Sequence, residues 1–409
     1  MNNTIRSVIL TINVGSSSLK FALYRMGRTA TEVHPMLSGK LERIGASGGR
    51  FVAHDDRHVD LVDRQVELPN YEAALKTMLD WLKSIPQGQE LSVAGHRVVH
   101  GGSRYSQPQL VTPALFQALK DLVPLAPDHL PQEMEAIEIL QRLHPDLKQV
   151  VCFDTAFHRT MPRVAQLYGL PAKLSEDGII RYGFHGLSYE YIVQELGRQA
   201  GEHARERVIV AHFGNGASLV AIRDCKSVDT TMGFTPTGGI VMSTRSGDLD
   251  PGVLIYLLRE KGYSPSQIND LVTKEAGLLG LSGLSSDMKD LLASEKGNAF
   301  AAEAISVFCY QAQKYIGALA AVLDGLDTLV FTGGIGENAP RVRQRICDGL
   351  GFLGIELDHA KNDGNASVIS GEGSAVNVRV IQTNEELIIA QHTSVVCGEM
   401  QQTTRKIQM

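Results

Sequence analysis

The feature that most constrains the fold is a strand–turn–strand pattern that occurs twice in the chain. Near the N-terminus, the apolar runs 8–13 and 19–24 flank a turn of glycine and serine. In the middle of the chain, the apolar runs 208–213 and 218–223 flank a glycine-rich turn in the same order. Two such runs joined by small residues predict a β-hairpin. The repeat predicts two related halves, although such units are common enough that coincidence stays open on this pattern alone.

The rest of the chain alternates between short apolar runs and amphipathic stretches, which is typical of an α/β fold. Further strands are predicted at 92–99, 149–153, 328–332 and 378–383. Helices are predicted at 113–122, 130–143, 251–260, 265–273, 301–323, 339–350 and 385–392. Two hairpin-plus-helix halves predict a duplicated α/β architecture with a cleft between the halves.

Composition narrows the class of protein. At ~150 residues per domain, the 409 residues predict two or three domains. Lys and Arg total 39 against 45 Asp and Glu, a net charge of −6 without a basic run, which argues against nucleic acid as a partner. No uncharged apolar stretch reaches the ~18 residues of a membrane span. Five widely spaced cysteines without a CxxC motif predict reduced thiols in the cytoplasm and give no zinc signature.

The first hairpin turn carries groups that suit an anion. Asn13 ends the first run, and Gly15, three serines and Lys20 follow it. Glycine lets the backbone approach a phosphate closely, backbone N–H groups and hydroxyls donate to it, and Lys20 adds positive charge. The side-chain oxygen of Asn13 can also face a metal ion or its waters. The turn predicts a phosphate-binding loop, with a plain hairpin turn as the alternative.

Two other glycine segments follow strands. Residues 212–216 (HFGNG) form the second hairpin turn, and residues 333–338 (GGIGEN) lie between the strand ending at Thr332 and the helix predicted from Ala339. A nucleotide can lie on bare backbone at such a turn and at the N-terminus of the helix that follows. Each segment is equally compatible with a tight structural turn.

Three cationic side chains and one carboxylate lie beside glycines, polar turns or strand ends. They are Arg97 at the end of a strand, His185 between glycines, Arg245 in a polar turn and Asp154 after the strand 149–153. A carboxylate at the carboxyl end of a strand suits a site in an α/β sheet. The alternatives are a helix cap for Asp154 and ordinary surface positions for the cations. With the glycine loops, these groups make up the set that phosphoryl transfer needs.

Nine segments resemble the acetate/propionate kinase family, in the family's order and across nearly the whole chain. They are NVGSSSLKF (13–21), GHRVVHGG (95–102), FDTAFHRTMP (153–162), RYGFHG (181–186), AHFGNGAS (211–218), STRSGDLDPG (243–252), SGLSSDMKD (282–290), FTGGIGENAP (331–340) and TNEEL (383–387). The family belongs to the superfamily of acetate and sugar kinases, heat-shock chaperone ATPases and actin. The resemblance implies a duplicated two-domain actin-like ATPase fold with ribonuclease H-like halves. It places 1–154 and 387–409 in an N-terminal domain and 155–386 in a nucleotide-binding domain.

The resemblance also implies an activity and its residues. It implies a cytoplasmic homodimer that transfers the γ-phosphoryl of ATP in line to acetate, with Mg²⁺ as cofactor and Mn²⁺ as an alternative, and without nucleic acid or membrane partners. Asp154, His185 and Arg245 are implied as catalytic, Arg97 and His129 as substrate-binding, and Asn13 and Glu385 as metal ligands. The residues implied at the nucleotide are Lys20, His212, Phe213, Gly214, Asn215, Gly216, Asp287, Met288, Lys289, Gly333, Gly334, Ile335, Gly336 and Glu337.

Two departures from the family bear on the substrate. Where the family usually reads LAPLHNP, residues 125–131 read LAPDHLP, and residues 237–239 read TGG in place of the usual LEG. A buried, unpaired Asp128 would disfavour an apolar acyl tail. Either Asp128 points away, it pairs with His129 or an arginine, or the substrate is not simple acetate. Propionate or another short carboxylate is therefore one alternative, and a chaperone-like or actin-like ATP-driven module, which needs no small-carboxylate clamp, is a distant one.

Overall fold

The computed structural model describes residues 7–85 and 91–407. The chain divides into two compact units, Met1–Ala156 with Asn384–Met409 and, separately, Phe157–Thr383. These limits lie a few residues from the boundaries that the resemblance implies, and Glu385 belongs to the first unit. Among the described residues, each helix is too short or too polar to cross a membrane.

Two β-sheets form the framework of the units. The first unit contains β1 Val8–Val14, β2 Ser18–Met26, β3 Val33–Glu42, β4 Arg50–Asp55, β5 Asp60–Gln65, β6 Leu91–Val98, β7 Gln109–Leu110 and β8 Lys148–Phe153, in the sheet order β5-β4-β3-β2-β1-β6-β8-β7. The second unit contains β9 Val208–Phe213, β10 Ala217–Arg223, β11 Lys226–Thr230, β12 Thr328–Thr332 and β13 Asn377–Val380, in the order β11-β10-β9-β12-β13.

Helices connect and cover these strands. The first unit begins with α1 Tyr71–Ser84, α2 Pro113–Leu122 and α3 Leu130–Leu143. The second unit contains α4 Arg163–Gln166, α5 Ala172–Glu176, α6 Gly186–Ala200, α7 Pro251–Glu260, α8 Pro265–Asp270, α9 Gly277–Ser282, α10 Met288–Ser294, α11 Ala299–Leu323, α12 Gly333–Asn338, α13 Pro340–Asp348 and α14 His359–Asp363. The chain returns to the first unit with α15 Glu385–Ile407, which packs against β1, β6 and β8.

Five adjacent strands of the first sheet have the same topology as the whole second sheet. β1 pairs antiparallel with β2 and parallel with β6, and β9 pairs antiparallel with β10 and parallel with β12. β3 and β11 extend the antiparallel side, while β8 and β13 extend the parallel side. Asn13 and His212 occupy equivalent places near the ends of β1 and β9. The prediction of two related α/β halves is confirmed.

The buried strands of the first unit explain where its polar side chains lie. Every residue of β1 is buried, as expected for a strand covered on both faces. β1, β6 and β8 run parallel, so their carboxyl ends lie at one edge of the sheet. Asn13, Arg97 and Asp154 lie at or just beyond these ends, where an α/β sheet presents its site residues.

Several elements differ from the sequence predictions. The glycine segment 333–338 is itself a short helix, α12, and the helix predicted from Ala339 begins at Pro340. The strand predicted at 378–383 ends at Val380, the helix predicted at 265–273 gives way to a π-helical turn after Asp270, and the final helix is longer than expected. Residues 33–84 carried no predicted element and form β3, β4, β5 and α1.

A completely buried arginine connects three elements that follow β12. The guanidinium of Arg343, on α13, donates to the carbonyls of Gly336 and Glu337 at 2.8 and 2.9 Å. It also donates to the side chain and carbonyl of Asn362 and to the side chain of Asn365. All five acceptors are neutral, and burial lowers the pKa of Arg343 to about 10, which leaves it charged at neutral pH. Arg343 therefore fixes the carboxyl end of α12.

We expect Arg343→Met to lower the free energy of unfolding by at least about 3 kcal/mol, because buried carbonyl and amide oxygens lose their donors. Arg341→Met is the matched control on the same helix, since Arg341 is an exposed arginine whose ion pair with Glu295 is expected to contribute less than about 1 kcal/mol. Urea unfolding of both variants measures the difference. Equal midpoints for the two variants would contradict the structural role of Arg343.

Candidate functional site

Arg97 and Asp154 form a hydrogen-bonded ion pair in the first unit. Arg97 Nε lies 3.1 Å from both carboxylate oxygens of Asp154, and Nη2 donates to Oδ2. The Asp154 side chain is fully buried, whereas the Arg97 side chain is 16% exposed. Arg97 is in register with Cys152 of β8, two residues before Asp154. The parallel pairing of β6 and β8 therefore brings the two side chains together.

Asn13 and Glu385 lie beside this ion pair. Arg97 Nη1 donates to Asn13 Oδ1 at 3.4 Å, and Asn13 Nδ2 donates to Glu385 Oε2 at 3.2 Å. Glu385 Oε2 also lies 3.9 Å from Arg97 Nε. The first unit thus brings together four of the residues predicted from sequence.

A fifth residue, Glu133, was missed by the sequence analysis. Its carboxylate Oε2 accepts the N–H of Val99 at 2.9 Å, and its Oε1 lies 4.0 Å from Arg97 Nη1. Glu133 is fully buried on α3, next to Met134 and one turn before Ile137. The sequence signal that could have identified Glu133 is a carboxylate on the apolar face of a predicted helix. Asn13, Arg97, Glu133, Asp154 and Glu385 are called the Arg97 cluster below.

The charge of Arg97 is secured by its acidic neighbours. Burial acts to lower the pKa of Arg97, but the carboxylates of Asp154 and Glu385 act to raise it, and the net shift is upward. A buried charge is tolerated when it is paired and hydrogen-bonded. Arg97 is therefore a permanent cation in this site.

The predicted phosphate loop is a hairpin turn that a hydrogen bond from the start of α1 holds in place. Gly15 N–H donates to the Ser18 carbonyl at 2.8 Å, and the Tyr71 hydroxyl donates to the Gly15 carbonyl at 2.5 Å. Lys20 is exposed on β2, in register with Asn13. Both the hairpin and the anion-binding interpretations remain compatible with this geometry. Tyr71, at the start of α1, was not identified from the sequence.

In the second unit, two histidine rings stack face to face. The centroids of His185 and His212 are 4.3 Å apart, at an interplanar angle of 25°. His185 precedes α6 with a φ of 61° in the left-handed region, and its Nδ1 lies 2.8 Å from Ser218 Oγ. His212 Nδ1 lies 2.9 Å from Ser188 Oγ. These two serines fix the rings and were not identified from the sequence.

Gly216 explains how Arg245 and His185 approach the turn after β9. A Cβ at Gly216 would lie 3.1 Å from His185 Nε2 and 3.3 Å from Arg245 Nη1, closer than most side chains allow. Arg245 Nη1 also donates to the carbonyl of Pro236 at 3.1 Å. The absence of a side chain at Gly216 therefore lets an imidazole and a guanidinium flank one turn. His185, Ser188, His212, Ser218 and Arg245 are called the His185 cluster below.

Glu337 connects the glycine helix α12 to the chain beyond β13. Its Oε1 accepts the N–H of Gly333 at 2.9 Å and the N–H of Thr383 at 3.1 Å. The Thr383 hydroxyl lies 2.8 Å from Ser188 Oγ, which in turn contacts His212. This chain of hydrogen bonds joins the second and third glycine segments within one unit.

Three other residues predicted at the nucleotide take part in core packing or helix capping. The ring of Phe213 is buried against Phe308 and Phe331, so only its backbone can face a ligand. Met288 is also buried, and Asp287 caps α10 by accepting the N–H of Lys289. The contacts of Asp287 and Met288 are structural, and the predicted role of residues 287–289 at the nucleotide stays a prediction.

His129 lies just before α3, half-buried beside the half-buried Asp128. Its predicted role at the substrate stays a prediction. Within residues 7–85 and 91–407, no group of three His, Cys, Asp or Glu side chains is arranged to hold a metal ion. The two predicted metal ligands, Asn13 and Glu385, are neighbours through the hydrogen bond from Asn13 Nδ2 to Glu385 Oε2.

The chain is similar to known proteins over nearly its whole length. The model of the acetokinase family matches residues 8–391. The chain is 46% identical to the acetate kinase of Methylocella silvestris over 96% of this chain and 98% of that protein, and 45% identical to that of Rhodopseudomonas palustris over 94% and 97%. The structure matches the acetate kinase of Porphyromonas gingivalis (TM-score 0.84, 36% identity, 96% of this chain and 100% of that chain). It also matches a propionate kinase of Francisella tularensis (TM-score 0.87, 38% identity, 95% and 99%). The chain belongs to the acetokinase family.

Proposed function

We propose that this protein is an acetate kinase, which reversibly transfers the γ-phosphoryl group of ATP to the carboxylate of acetate and gives acetyl phosphate and ADP. The relatives of highest identity given above carry that name. The observation that carries the proposal is the Arg97 cluster, in which a permanent cation lies among oxygen ligands at the end of β1, β6 and β8. Such a group suits a small anion and a hard metal ion together.

Arg97 is the proposed anchor for the substrate carboxylate. Its Nε and Nη2 are engaged by Asp154, whereas among the described residues its Nη1 makes only a hydrogen bond of 3.4 Å to Asn13. Nη1 therefore retains donor capacity for a carboxylate oxygen. Because a carboxylate nucleophile has no proton to lose, Asp154 is not required as a base. Its proposed role is to hold the guanidinium in one orientation.

His185 and Arg245 are the proposed stabilisers of the phosphoryl group in transit. Phosphoryl transfer develops negative charge on the equatorial oxygens, and preorganised donors lower its barrier. His185 is fixed by Ser218 and by stacking on His212, and Arg245 lies against the same glycine. We propose that residues 212–216, 287–289 and 333–337 bind the nucleotide, and that Lys20 and the loop of Gly15 contact its phosphates.

Asn13 and Glu385 are the proposed ligands of Mg²⁺, with Mn²⁺ as an alternative metal. An amide oxygen and a carboxylate fit Mg²⁺, which is usually held by one or two protein oxygens, waters and substrate phosphates. The two side chains are neighbours, since Asn13 Nδ2 donates to Glu385 Oε2 at 3.2 Å. When bound, the metal neutralises charge on the β- and γ-phosphates.

Assembly and compartment belong to the same proposal. α7 has no buried residue, and four of its apolar side chains are 40–51% exposed: Val253, Ile255, Tyr256 and Leu258. An apolar helix of this kind is expected to be covered by protein, and a second copy of the chain is the proposed partner, giving a homodimer. Within the described part of the chain, the cysteines form no disulfide, which supports a reducing compartment such as the cytoplasm.

Propionate is the second candidate substrate. The structural match to a propionate kinase and the half-buried Asp128 both favour testing it. A hydroxamate assay with formate, acetate, propionate and butyrate, in the presence of ATP and Mg²⁺, ranks the acids. We expect acetate to give the highest kcat/KM. No acyl phosphate from any of the four acids would overturn the proposed function.

Arg245→Ala is expected to reduce kcat by about 10³ or more, because a cation that stabilises the transferring phosphoryl group is lost. Arg163→Ala is the control, since Arg163 is an exposed arginine of the same unit. The hydroxamate assay gives both rates, and circular dichroism confirms that both variants are folded. A folded Arg245→Ala variant that retains the rate of Arg163→Ala would reject the proposed role.

Glu385→Gln is expected to raise the Mg²⁺ concentration needed for half-maximal activity by at least about tenfold, because a neutral amide is a weaker ligand for a hard cation. EDTA should abolish the activity of the unmodified protein, and Mg²⁺ or Mn²⁺ should restore it. The exposed Glu67→Gln of the same unit serves as the control. An unchanged Mg²⁺ dependence in Glu385→Gln would exclude Glu385 as a ligand.

A further inference from the structure

Glu133 is a buried carboxyl group that the proposed chemistry leaves unused. Its side chain is 1% exposed, and Oε2 accepts the Val99 N–H at 2.9 Å. Within the described part of the chain, Oε1 is buried and makes no hydrogen bond. Its nearest cation is Arg97, with Nη1 at 4.0 Å, which is too far for a hydrogen bond. An ionised carboxylate is unfavourable in such a place.

The charges around Arg97 do not balance if all its neighbours are ionised. One guanidinium faces the carboxyls of Asp154, Glu385 and Glu133, which gives +1 − 3 = −2. Until a metal ion binds at Asn13 and Glu385, a site with that net charge disfavours an anionic substrate. Asp154 receives direct donors from Arg97, and Glu385 is partly exposed and accepts from Asn13. Glu133 is the carboxyl with the weakest support for a negative charge.

We propose that Glu133 is a positioning residue that supports Arg97 as a neutral carboxylic acid, so that the charge of Arg97 stays available to the substrate carboxylate. This inference rests on the proposed function, because it assigns Glu133 a part in acetate binding. Glu133 touches neither acetate nor ATP in this proposal, and it acts through Arg97 and through the backbone of Val99 in the same strand end.

The electrostatics of the surrounding elements support a neutral Glu133. Burial raises the pKa of Glu133 to about 8, although Arg97 from β6 and the N–H of Val99 oppose this shift, and Asp154 after β8 adds to it. The two helices packed against α3, α1 and α2, carry charged side chains that pair with residues other than Glu133. Lys120 of α2 pairs with Glu138, and Glu72 of α1 pairs with Arg142.

The protonation of Glu133 can be tested without any activity. When folding raises the pKa of a carboxyl from its ordinary 4.5 to about 8, the free energy of unfolding falls as the pH rises through this range. A protein with a neutral residue at that position does not lose this stability. The stability of Glu133→Gln relative to the unmodified protein should therefore increase between pH 5 and pH 8 and level off above pH 8. Glu138→Gln, an exposed position on the same helix, should show a constant difference. A constant difference for Glu133→Gln would overturn the inference.

The kinetic test separates a positioning role from a structural one. In the unmodified protein, the KM for acetate should be constant up to about pH 8 and then rise by about tenfold per pH unit, because one proton is lost. In Glu133→Gln, the KM for acetate should stay within about threefold of the unmodified value at pH 7 and remain flat to pH 9.5. The KM for ATP should be unchanged in both. Glu133→Ala should raise the KM for acetate at pH 7, because the hydrogen bond to Val99 is lost.

The outcomes of these experiments separate the inference about Glu133 from the proposed function. An equal rise in the KM for acetate at pH 7 for Glu133→Gln and Glu133→Ala would show that the negative charge is needed, and would overturn the inference. If Glu133→Gln does not fold, a flat KM for acetate from pH 7 to 9.5 in the unmodified protein overturns it, and a rise above pH 8 supports it. If the unmodified protein makes no acyl phosphate, the proposed function fails, whereas the stability comparison still reports whether Glu133 is protonated.

Discussion

The ion pair between Arg97 and Asp154 is the interaction on which the site of the first unit depends. A buried pair is favourable only when its geometry is good and its remaining donors and acceptors are satisfied. Here the parallel register of β6 and β8 sets the geometry, and Asn13 from β1 takes a further donor of the guanidinium. Removing one partner would leave an uncompensated buried charge, which costs about 3–5 kcal/mol. The stability of the first unit and the proposed substrate binding therefore rest on the same contact.

The two units share one strand topology but carry different polar and charged side chains at equivalent strand ends. At the end of β1, Asn13 contacts Glu385, so the first unit offers oxygen ligands to cations around a single arginine. At the equivalent place in β9, His212 stacks on His185 beside Arg245, so the second unit offers donors to an anion. In the proposed function, the first group holds the metal ion and the second stabilises the phosphoryl group.

The sequence predicted the strands and hairpins of the repeat, because β-branched runs next to glycine have few other solutions. It also assigned Arg97 and Asp154 to one site by their chemistry and their places at strand ends, and the parallel pairing of β6 and β8 brings the two together. Contacts set by packing could not be predicted. The burial of Arg343 depends on neutral acceptors from α12 and from the loop after α14, which no local pattern links. Glu133 needed the register of α3 against β6 to become a neighbour of Arg97.

The most direct test of the account is the KM for acetate in Arg97→Lys. Lysine keeps the positive charge and loses the fork of the guanidinium, so one charge-assisted hydrogen bond to a carboxylate is lost. The KM for acetate should rise by about 10–100-fold, which corresponds to about 1.5–3 kcal/mol, while the KM for ATP stays within about twofold. A folded variant with an unchanged KM for acetate would contradict the account, because the substrate carboxylate would then be bound elsewhere.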